Sequence, residues 1–195
     1  MSEAAAPQLL RSGWVLVPTA EAMTDLGRAL SAGLRPGDLV VLSGDLGAGK
    51  TTLTRGIGEG LGVRGAVTSP TFVIARVHPA PPGRPPLVHV DAYRLGSLAE
   101  LDDLDLDAGQ EDSVTVVEWG LGLAEDLADA RLELDLIRPK ARPAAASDVV
   151  SDGSDGSDGS DVGDEARTVA WRAFGARWAD TSIPGLETTS PVRPA

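Results

Sequence analysis

Residues 44–51 read Gly-Asp-Leu-Gly-Ala-Gly-Lys-Thr, which is a complete G-x-x-x-x-G-K-[ST] phosphate-loop motif. The apolar run 39–42 precedes the motif, and a helix-compatible segment, residues 52–61, follows it. Glycines at these spacings let successive backbone N–H groups face an anion at the N-terminus of the following helix. The motif therefore predicts a strand, a tight loop and a helix arranged around a phosphate chain. The alternative is a glycine-rich turn that binds nothing.

The side chains of the motif predict the kind of ligand. Lys50 is placed to bring a compact positive charge to the β- and γ-phosphates of a nucleoside triphosphate, and the Thr51 hydroxyl can ligate Mg²⁺. The positions predicted to bind the nucleotide are Asp45, Leu46, Gly47, Ala48, Gly49, Lys50, Thr51 and Thr52.

Two further apolar runs each end in a carboxylate. Residues 87–90 are followed by Asp91, and residues 113–117 by Glu118. Strands that alternate with helices indicate an α/β fold, which we predict to be P-loop NTPase-like, with a largely parallel central sheet and flanking helices. In such sheets the ligand lies at the carboxyl ends of the strands. Asp91 and Glu118 are thus predicted metal ligands with Thr51, while Glu118 could instead polarise the attacking water.

The segment Ser-Pro-Thr-Phe, residues 69–72, lies between the phosphate-loop helix and the next strand. A hydroxyl in this place can sense the γ-phosphate, so Thr71 is the predicted switch residue, and an ordinary Ser-Pro turn is the alternative. His89 interrupts an apolar strand and has no Ser or Cys partner at a suggestive spacing. We therefore expect His89 to be a buried, hydrogen-bonded structural residue.

The rest of the chain suggests one domain with flexible additions. We predict a flexible leader at 1–12, a single domain at 13–179 and a flexible tail at 180–195. A Ser-Asp-Gly repeat marks a disordered insertion at about 140–163. Residues 131–137 alternate apolar and charged side chains, as an edge or half-exposed strand would. This segment is expected to pair with 168–174 in a C-terminal antiparallel hairpin.

Composition excludes several classes of protein. The chain has no cysteine, which rules out disulfides and thiolate metal sites. Its formal net charge of −12 argues against direct binding of nucleic acid. An apolar run of about 18 residues, as a membrane span requires, is absent from the sequence. We expect a cytoplasmic protein.

Four blocks together carry a resemblance to a known family. They are residues 44–52, Ser-Pro-Thr-Phe at 69–72, His-Val-Asp-Ala-Tyr-Arg-Leu at 89–95 and Val-Glu-Trp at 117–119. In this order and at this spacing they closely resemble the TsaE family, the small bacterial ATPase of tRNA threonylcarbamoyladenosine biosynthesis. The resemblance covers residues 14–137 and the last strand.

The resemblance implies an ATPase that binds ATP and Mg²⁺ and acts on the TsaD–TsaB pair. That pair transfers the threonylcarbamoyl group to adenosine 37 of tRNA, so contact with tRNA would be only indirect. In this family Thr51 and Glu118 would hold Mg²⁺, Asp91 would support metal or catalysis, and Thr71 would belong to the switch. Trp119 would lie beside the metal. Two further residues, Thr19 and Gly163, match positions that flank the nucleotide.

Two other functions remain open at this stage. A small-molecule kinase could use the same phosphate loop, but it needs an acceptor pocket and usually an arginine-bearing lid. A nucleotide-dependent scaffold would bind ATP with negligible turnover. Hydrolysis that is slow alone and completed by a partner is the expectation for the leading hypothesis.

Overall fold

The computed structural model describes residues 8–70, 73–95, 111–139 and 166–186. Thr71, Gly163 and the Ser-Asp-Gly repeat lie outside these ranges, so the predictions made for them stay predictions. Within the described ranges, two α-helices and seven strands follow in chain order: β1 Leu9–Val17, α1 Ala20–Ser31, β2 Leu39–Gly44, α2 Lys50–Leu61, β3 Ala75–His78, β4 Leu87–Asp91, β5 Val114–Glu118, β6 Arg131–Ile137 and β7 Arg167–Phe174.

The strands form one mixed sheet in the order β1-β7-β6-β2-β5-β4-β3. Strands β6, β2, β5 and β4 run parallel, whereas β1, β7 and β3 each pair antiparallel. The prediction of a largely parallel sheet therefore holds for the four adjacent strands β6, β2, β5 and β4, and is wrong for β1, β7 and β3. The predicted C-terminal antiparallel hairpin is confirmed as the pairing of β6 with β7.

Both α-helices cover the same face of the sheet. In β2, Val40 and Leu42 belong to the core that contains the apolar residues of α1 and α2. Leu39 and Val41 point the other way, into a smaller core closed by residues 123–128. This alternation follows from the pleat, because successive side chains of a strand point to opposite faces.

The two helices pack closely enough to exclude side chains at their crossing. A Cβ placed on Gly56 of α2 would overlap the carbonyl oxygen of Thr24, and one on Gly27 of α1 would overlap the carbonyl oxygen of Leu53. The glycines thus allow backbone to approach backbone, and this holds the first turn of α2 firmly under the phosphate loop.

Replacement of Gly56 by alanine is expected to lower the free energy of unfolding by about 2–4 kcal/mol, since the helices must separate to make room. At an open helical position the same change stabilises a protein by roughly 0.5–1 kcal/mol. The sign of the change in unfolding free energy therefore distinguishes a close helix crossing from an open position. Urea denaturation measures the difference. Arg55→Ala, at the exposed neighbouring residue, is the control and should stay within about 0.5 kcal/mol of the parent. A stabilised Gly56→Ala variant would contradict the packing.

Strand β6 is an inner strand and mostly buried, so the expectation of an edge or half-exposed strand is wrong. It lies between β7 and β2. Two of its charged side chains are buried as an ion pair: Glu133 accepts from Nε of Arg131 at 2.8 Å, and also from Nη2 of the half-exposed Arg172 in β7 at 2.8 Å. Pairing of opposite charges allows Arg131 and Glu133 to be buried together, which the alternating pattern alone could not reveal.

Both predicted flexible ends are partly ordered. Strand β1 begins at Leu9, inside the predicted leader. Beyond Asp180, Ile183 and Leu186 are buried in the core against the helices. The turn before this segment is anchored by Arg177, whose guanidinium donates to both carboxylate oxygens of Asp38 at 2.8 Å. No helix in the described parts of the chain is long and apolar enough to span a membrane.

Candidate nucleotide site

A cavity of about 500 Å³ opens at the carboxyl ends of β2, β4 and β5. The phosphate loop and the start of α2 form one wall. Ser69, Asp91, Tyr93, Glu118 and Trp119 form the other walls. The location agrees with the rule that ligands of α/β sheets bind outside the carboxyl ends of parallel strands.

The conformation of the phosphate loop depends on glycine at two points. Gly44 has φ +127°, and a Cβ there would overlap the carbonyl oxygen of Leu136 in β6. Gly49 has φ +108° and directly precedes α2. Residues other than glycine rarely adopt either backbone conformation. The sequence motif thus produces the tight strand-to-helix turn that it predicts.

Lys50 begins α2 and lies almost wholly buried in the cavity. Its Nζ donates to the carbonyl oxygens of Gly44 at 2.6 Å and Asp45 at 2.9 Å. The same atom lies 3.5 Å from the centre of the Trp119 ring. Burial lowers the pKa of Lys50, and nearby carboxylates, Glu118 first among them, oppose that shift. The ammonium group is therefore held by loop carbonyls and a ring face, which a phosphate could replace.

Glu118 ends β5 beneath the first turn of α2 and is buried. Its Oε2 accepts a hydrogen bond from the Thr51 hydroxyl at 2.9 Å. Its Oε1 lies 2.8 Å from Nε2 of His89 and 3.4 Å from the Thr54 hydroxyl. The structure thus brings the predicted Thr51 and Glu118 into direct contact, although they are 67 residues apart in the sequence.

Asp91 stands next to Glu118 in the sheet, since the two residues are paired in the β4–β5 register. The Asp91 carboxylate accepts from the Ser69 hydroxyl at 2.9 Å and from the Tyr93 backbone N–H at 3.1 Å. The second contact caps the 3₁₀ turn Ala92–Arg94. Ser69 therefore links the segment before Thr71 to the carboxylate of β4.

Aromatic and apolar side chains surround the mouth of the cavity. Trp119 has φ +62°, a conformation uncommon for a residue with a side chain. The backbone N–H of Trp119 donates to the carbonyl oxygen of Leu42 at 2.8 Å. Its ring lies 5.1 Å from that of Tyr93, centre to centre. Tyr93 is 64% exposed and Leu46 is 83% exposed. Such apolar exposure at the entrance is typical of a surface that another molecule covers.

A second, smaller cavity of about 130 Å³ adjoins the other side of the phosphate loop. Thr19 lines it, and the same hydroxyl caps α1 by accepting from the Ala22 N–H at 3.1 Å. Arg167 contributes to its wall. Nη1 of Arg138 lies 3.5 Å from the point where a Cβ on Gly47 would stand. Two arginines thus approach the loop on the side away from Glu118.

The predicted residues do not all reach the main cavity. Lys50, Thr51, Asp91 and Glu118 meet there, whereas Ala48 lines the smaller cavity and Asp45 lines neither. The sequence analysis missed Thr54, Tyr93, Arg138 and Arg167. For Thr54 a signal existed, because residues three and four apart share a helix face and place it beside Thr51. Arg138 and Arg167 follow from the pairing of β6 with β7, which the motif does not encode.

Among the described residues, no group of three or more His, Asp or Glu side chains could hold a metal ion by itself. The cavity does combine a hydroxyl with two carboxylates at the end of a phosphate loop. This set is what a metal shared with phosphate oxygens requires, because Mg²⁺ in such sites keeps few protein ligands.

Comparison with known proteins agrees with these residues. A family described as "Threonylcarbamoyl adenosine biosynthesis protein TsaE" matches residues 17–144. The chain belongs to the TsaE family. All four sequence blocks lie inside the matched range, while Gly163 and β7 lie beyond it. The membership assigns the chain a role in tRNA threonylcarbamoyladenosine biosynthesis.

Curated members of the TsaE family are similar over most of this chain. The tRNA threonylcarbamoyladenosine biosynthesis protein TsaE of Streptomyces coelicolor is 56% identical over 165 residues, which cover 84% of this chain and 99% of that protein. The protein of the same name from Bacillus subtilis is 42% identical over 116 residues, covering 58% of this chain and 70% of that one. A crystal structure of Bacillus subtilis YdiB has a TM-score of 0.61 at 28% identity, and covers 88% of this chain and 91% of its own.

Proposed function

We propose that this TsaE-family member is an Mg²⁺-dependent ATPase with a P-loop NTPase-like site, and that it acts on the TsaD–TsaB complex without transferring the threonylcarbamoyl group itself. The observation that carries the proposal is the contact between Thr51 and Glu118, 2.9 Å apart and beside Lys50. A hydroxyl, a carboxylate and a lysine so placed are the protein's share of a metal–triphosphate site.

The donor set fits Mg²⁺. Thr51 and Glu118 would supply the direct protein ligands, since both are oxygen donors on rigid elements. Asp91 would complete the site, directly or through water. When bound, the ion would neutralise charge on the β- and γ-phosphates. Phosphate and water oxygens would fill the remaining positions around the ion.

The nucleotide would lie across the phosphate loop. When nucleotide binds, the ammonium group of Lys50 would exchange the carbonyl oxygens of Gly44 and Asp45 for phosphate oxygens. Its positive charge would then lie against a negative one. Thr19 would flank the nucleotide on the side of the smaller cavity. Gly163 lies outside the described residues, and its contact with the nucleotide stays a prediction from the resemblance. The depressed pKa of Lys50 supports this role, because a buried ammonium group gains from a nearby negative charge.

We assign to Asp91 the role of polarising the water that attacks the γ-phosphate. Both carboxylates accept hydrogen bonds on both oxygens, but Asp91 is the one that binds Ser69, two residues before Thr71 in the predicted switch. The Ser69 contact supports a switch in residues 69–72, in which Thr71 would respond to the γ-phosphate. Partner binding would complete this arrangement, as activators do for other P-loop enzymes.

The proposed partners follow from the family. The net charge of −12 agrees with binding protein and with reaching tRNA only through the complex. The exposed Leu46 and Tyr93 supply apolar contact area beside the cavity. The cytoplasmic location predicted from the sequence belongs to this proposal, since it is where tRNA is modified.

The experiment measures ATP hydrolysis by the purified chain with and without the TsaD–TsaB pair, and with candidate small acceptors. We expect slow turnover alone, stimulation by the pair and no dependence on an acceptor. Turnover that needs a small acceptor and ignores the pair would identify a kinase. Tight ATP binding with no turnover in any mixture would identify a scaffold.

A further inference from the structure

We propose that His89 is a positioning residue, which holds the Glu118 carboxylate so that only Oε2 is available to the metal. This inference rests on the proposed Mg²⁺–ATP site and adds a residue to it. Its basis is a buried contact: Nε2 of His89 lies 2.8 Å from Oε1 of Glu118, with side-chain exposures of 0% and 3%.

His89 is the main donor to Oε1. The Thr54 hydroxyl lies 3.4 Å from the same oxygen, but it also donates to the Lys50 carbonyl oxygen at 3.0 Å. A hydroxyl has one proton, and the shorter contact takes it. The orientation of the Glu118 carboxylate therefore depends on His89 at one oxygen and on Thr51 at the other.

The tautomer of His89 follows from this contact. Donation to a carboxylate requires a proton on Nε2, and in the neutral ring this leaves Nδ1 as the acceptor. Nδ1 of His89 is buried without a hydrogen-bond partner in the described structure. A buried acceptor that lacks a hydrogen bond lowers the stability of the fold. A residue that served packing alone would be better apolar here, between Val88 and Val90, so the contact with Glu118 accounts for the histidine.

The geometry has a consequence for metal binding. The hydrogen bond between His89 and Oε1 opposes rotation of the carboxylate, and so opposes binding of one ion by both oxygens. Oε2 lies 2.9 Å from the hydroxyl of Thr51, the other proposed direct ligand, so it is the oxygen placed to bind the same ion. Glu118 is thus expected to be a single-oxygen ligand of fixed direction. Residues that orient a metal ligand typically change metal affinity by about 10–100-fold when removed.

The chain contains a matched control, because His78 is its only other histidine. His78 is also buried, also has an unpartnered ring nitrogen, and lies 6.3 Å from the His89 ring, centre to centre. Burial lowers the pKa of His78, as the neighbouring His89 and Arg76 also do. Its structural setting resembles that of His89, but it has no contact with Glu118 among the described hydrogen bonds.

The test compares ATP affinity in Mg²⁺ with ATP affinity in EDTA, by equilibrium binding. We expect His89→Leu to reduce the Mg²⁺-dependent gain in affinity by about 10–100-fold and to leave the EDTA value nearly unchanged. His89→Gln, whose amide can reach the same carboxylate oxygen, should recover most of the gain. His78→Leu should lose stability by a similar amount but keep the gain. An unchanged gain in folded His89→Leu, or an equal loss in His78→Leu, overturns the inference.

If the variants fail to fold, a measurement on the unmodified chain tests the same inference. Nitrogen-15 NMR of the two histidines reports their tautomers. We expect His89 to carry its proton on Nε2, and its signals to shift more than those of His78 when Mg²⁺ and ATP are added. A proton on Nδ1 of His89 overturns the positioning role. If the parent chain gains no ATP affinity from Mg²⁺, the proposed function itself fails, an outcome distinct from a failure of His89→Leu alone.

Discussion

Lys50→Ala is expected to weaken ATP binding by about 10–150-fold and to abolish measurable hydrolysis. The ammonium group would make charge-assisted hydrogen bonds to phosphate, and each such bond contributes about 1.5–3 kcal/mol. The loss should be larger for ATP than for AMP, because the lysine reaches the β- and γ-phosphates. Isothermal titration with ATP, ADP and AMP measures the difference.

The fold should tolerate this change. Lys50 is buried with loop carbonyls as acceptors, and burial already disfavours its charged form. Its removal takes a desolvated charge out of the core, so the free energy of unfolding without nucleotide should be unchanged or higher. The control is Lys140→Ala, the other lysine of the sequence, which should bind ATP as the parent does. Equal ATP and AMP losses in Lys50→Ala would contradict the assigned phosphate contact.

Glu118→Gln should cause the second large effect, a loss of about 10²-fold or more in Mg²⁺-dependent turnover. The amide retains the size of the side chain but removes the charge that would bind the ion, and metal stabilisation of the transition state is worth several kcal/mol. It also turns one oxygen into a donor that faces Thr51 or His89, both of which donate to the carboxylate. Turnover measured over a range of Mg²⁺ concentrations should show a raised half-saturation point.

Glu133→Gln is the matched control for Glu118→Gln. Glu133 is also a buried carboxylate on a strand of the same sheet, but its partners are Arg131 and Arg172 rather than residues of the cavity. This change should lower stability, because it leaves buried guanidinium charge uncompensated, while the Mg²⁺ dependence stays unchanged. A Glu118→Gln enzyme with the parent's Mg²⁺ dependence would remove Glu118 from the metal site.

Local pattern was sufficient for much of the secondary structure. The apolar run before the phosphate loop became β2, the segment after it became α2, and residues 131–137 became β6 with the predicted bounds. Each of these segments has its own periodicity or its own glycines, so a short window of sequence contains the information. The burial of His89, expected from its place in an apolar strand, is also confirmed.

The direction of a strand and its position in the sheet could not be predicted from the local sequence pattern. Strand β6 was expected to be an edge or half-exposed strand because charged residues alternate along it, but the carboxylate of Glu133 is buried in ion pairs with Arg131 and Arg172. The buried Ile183 and Leu186 lie in a polar segment whose few apolar residues show no period. In both cases the partner that makes burial favourable is distant in sequence.

The sequence alone determined the phosphate loop, because glycine spacing and a lysine are local requirements, and it placed carboxylates after two apolar strands. Only the tertiary structure decided which atoms meet. Glu118 reaches Thr51 because β5 lies beside β2 under the first turn of α2. The position of α2 is fixed by its close packing on α1, which the glycines at the helix crossing allow. His89 becomes a partner of Glu118 because β4 pairs with β5. Strand order arises from packing of the whole chain, which no short window of sequence encodes.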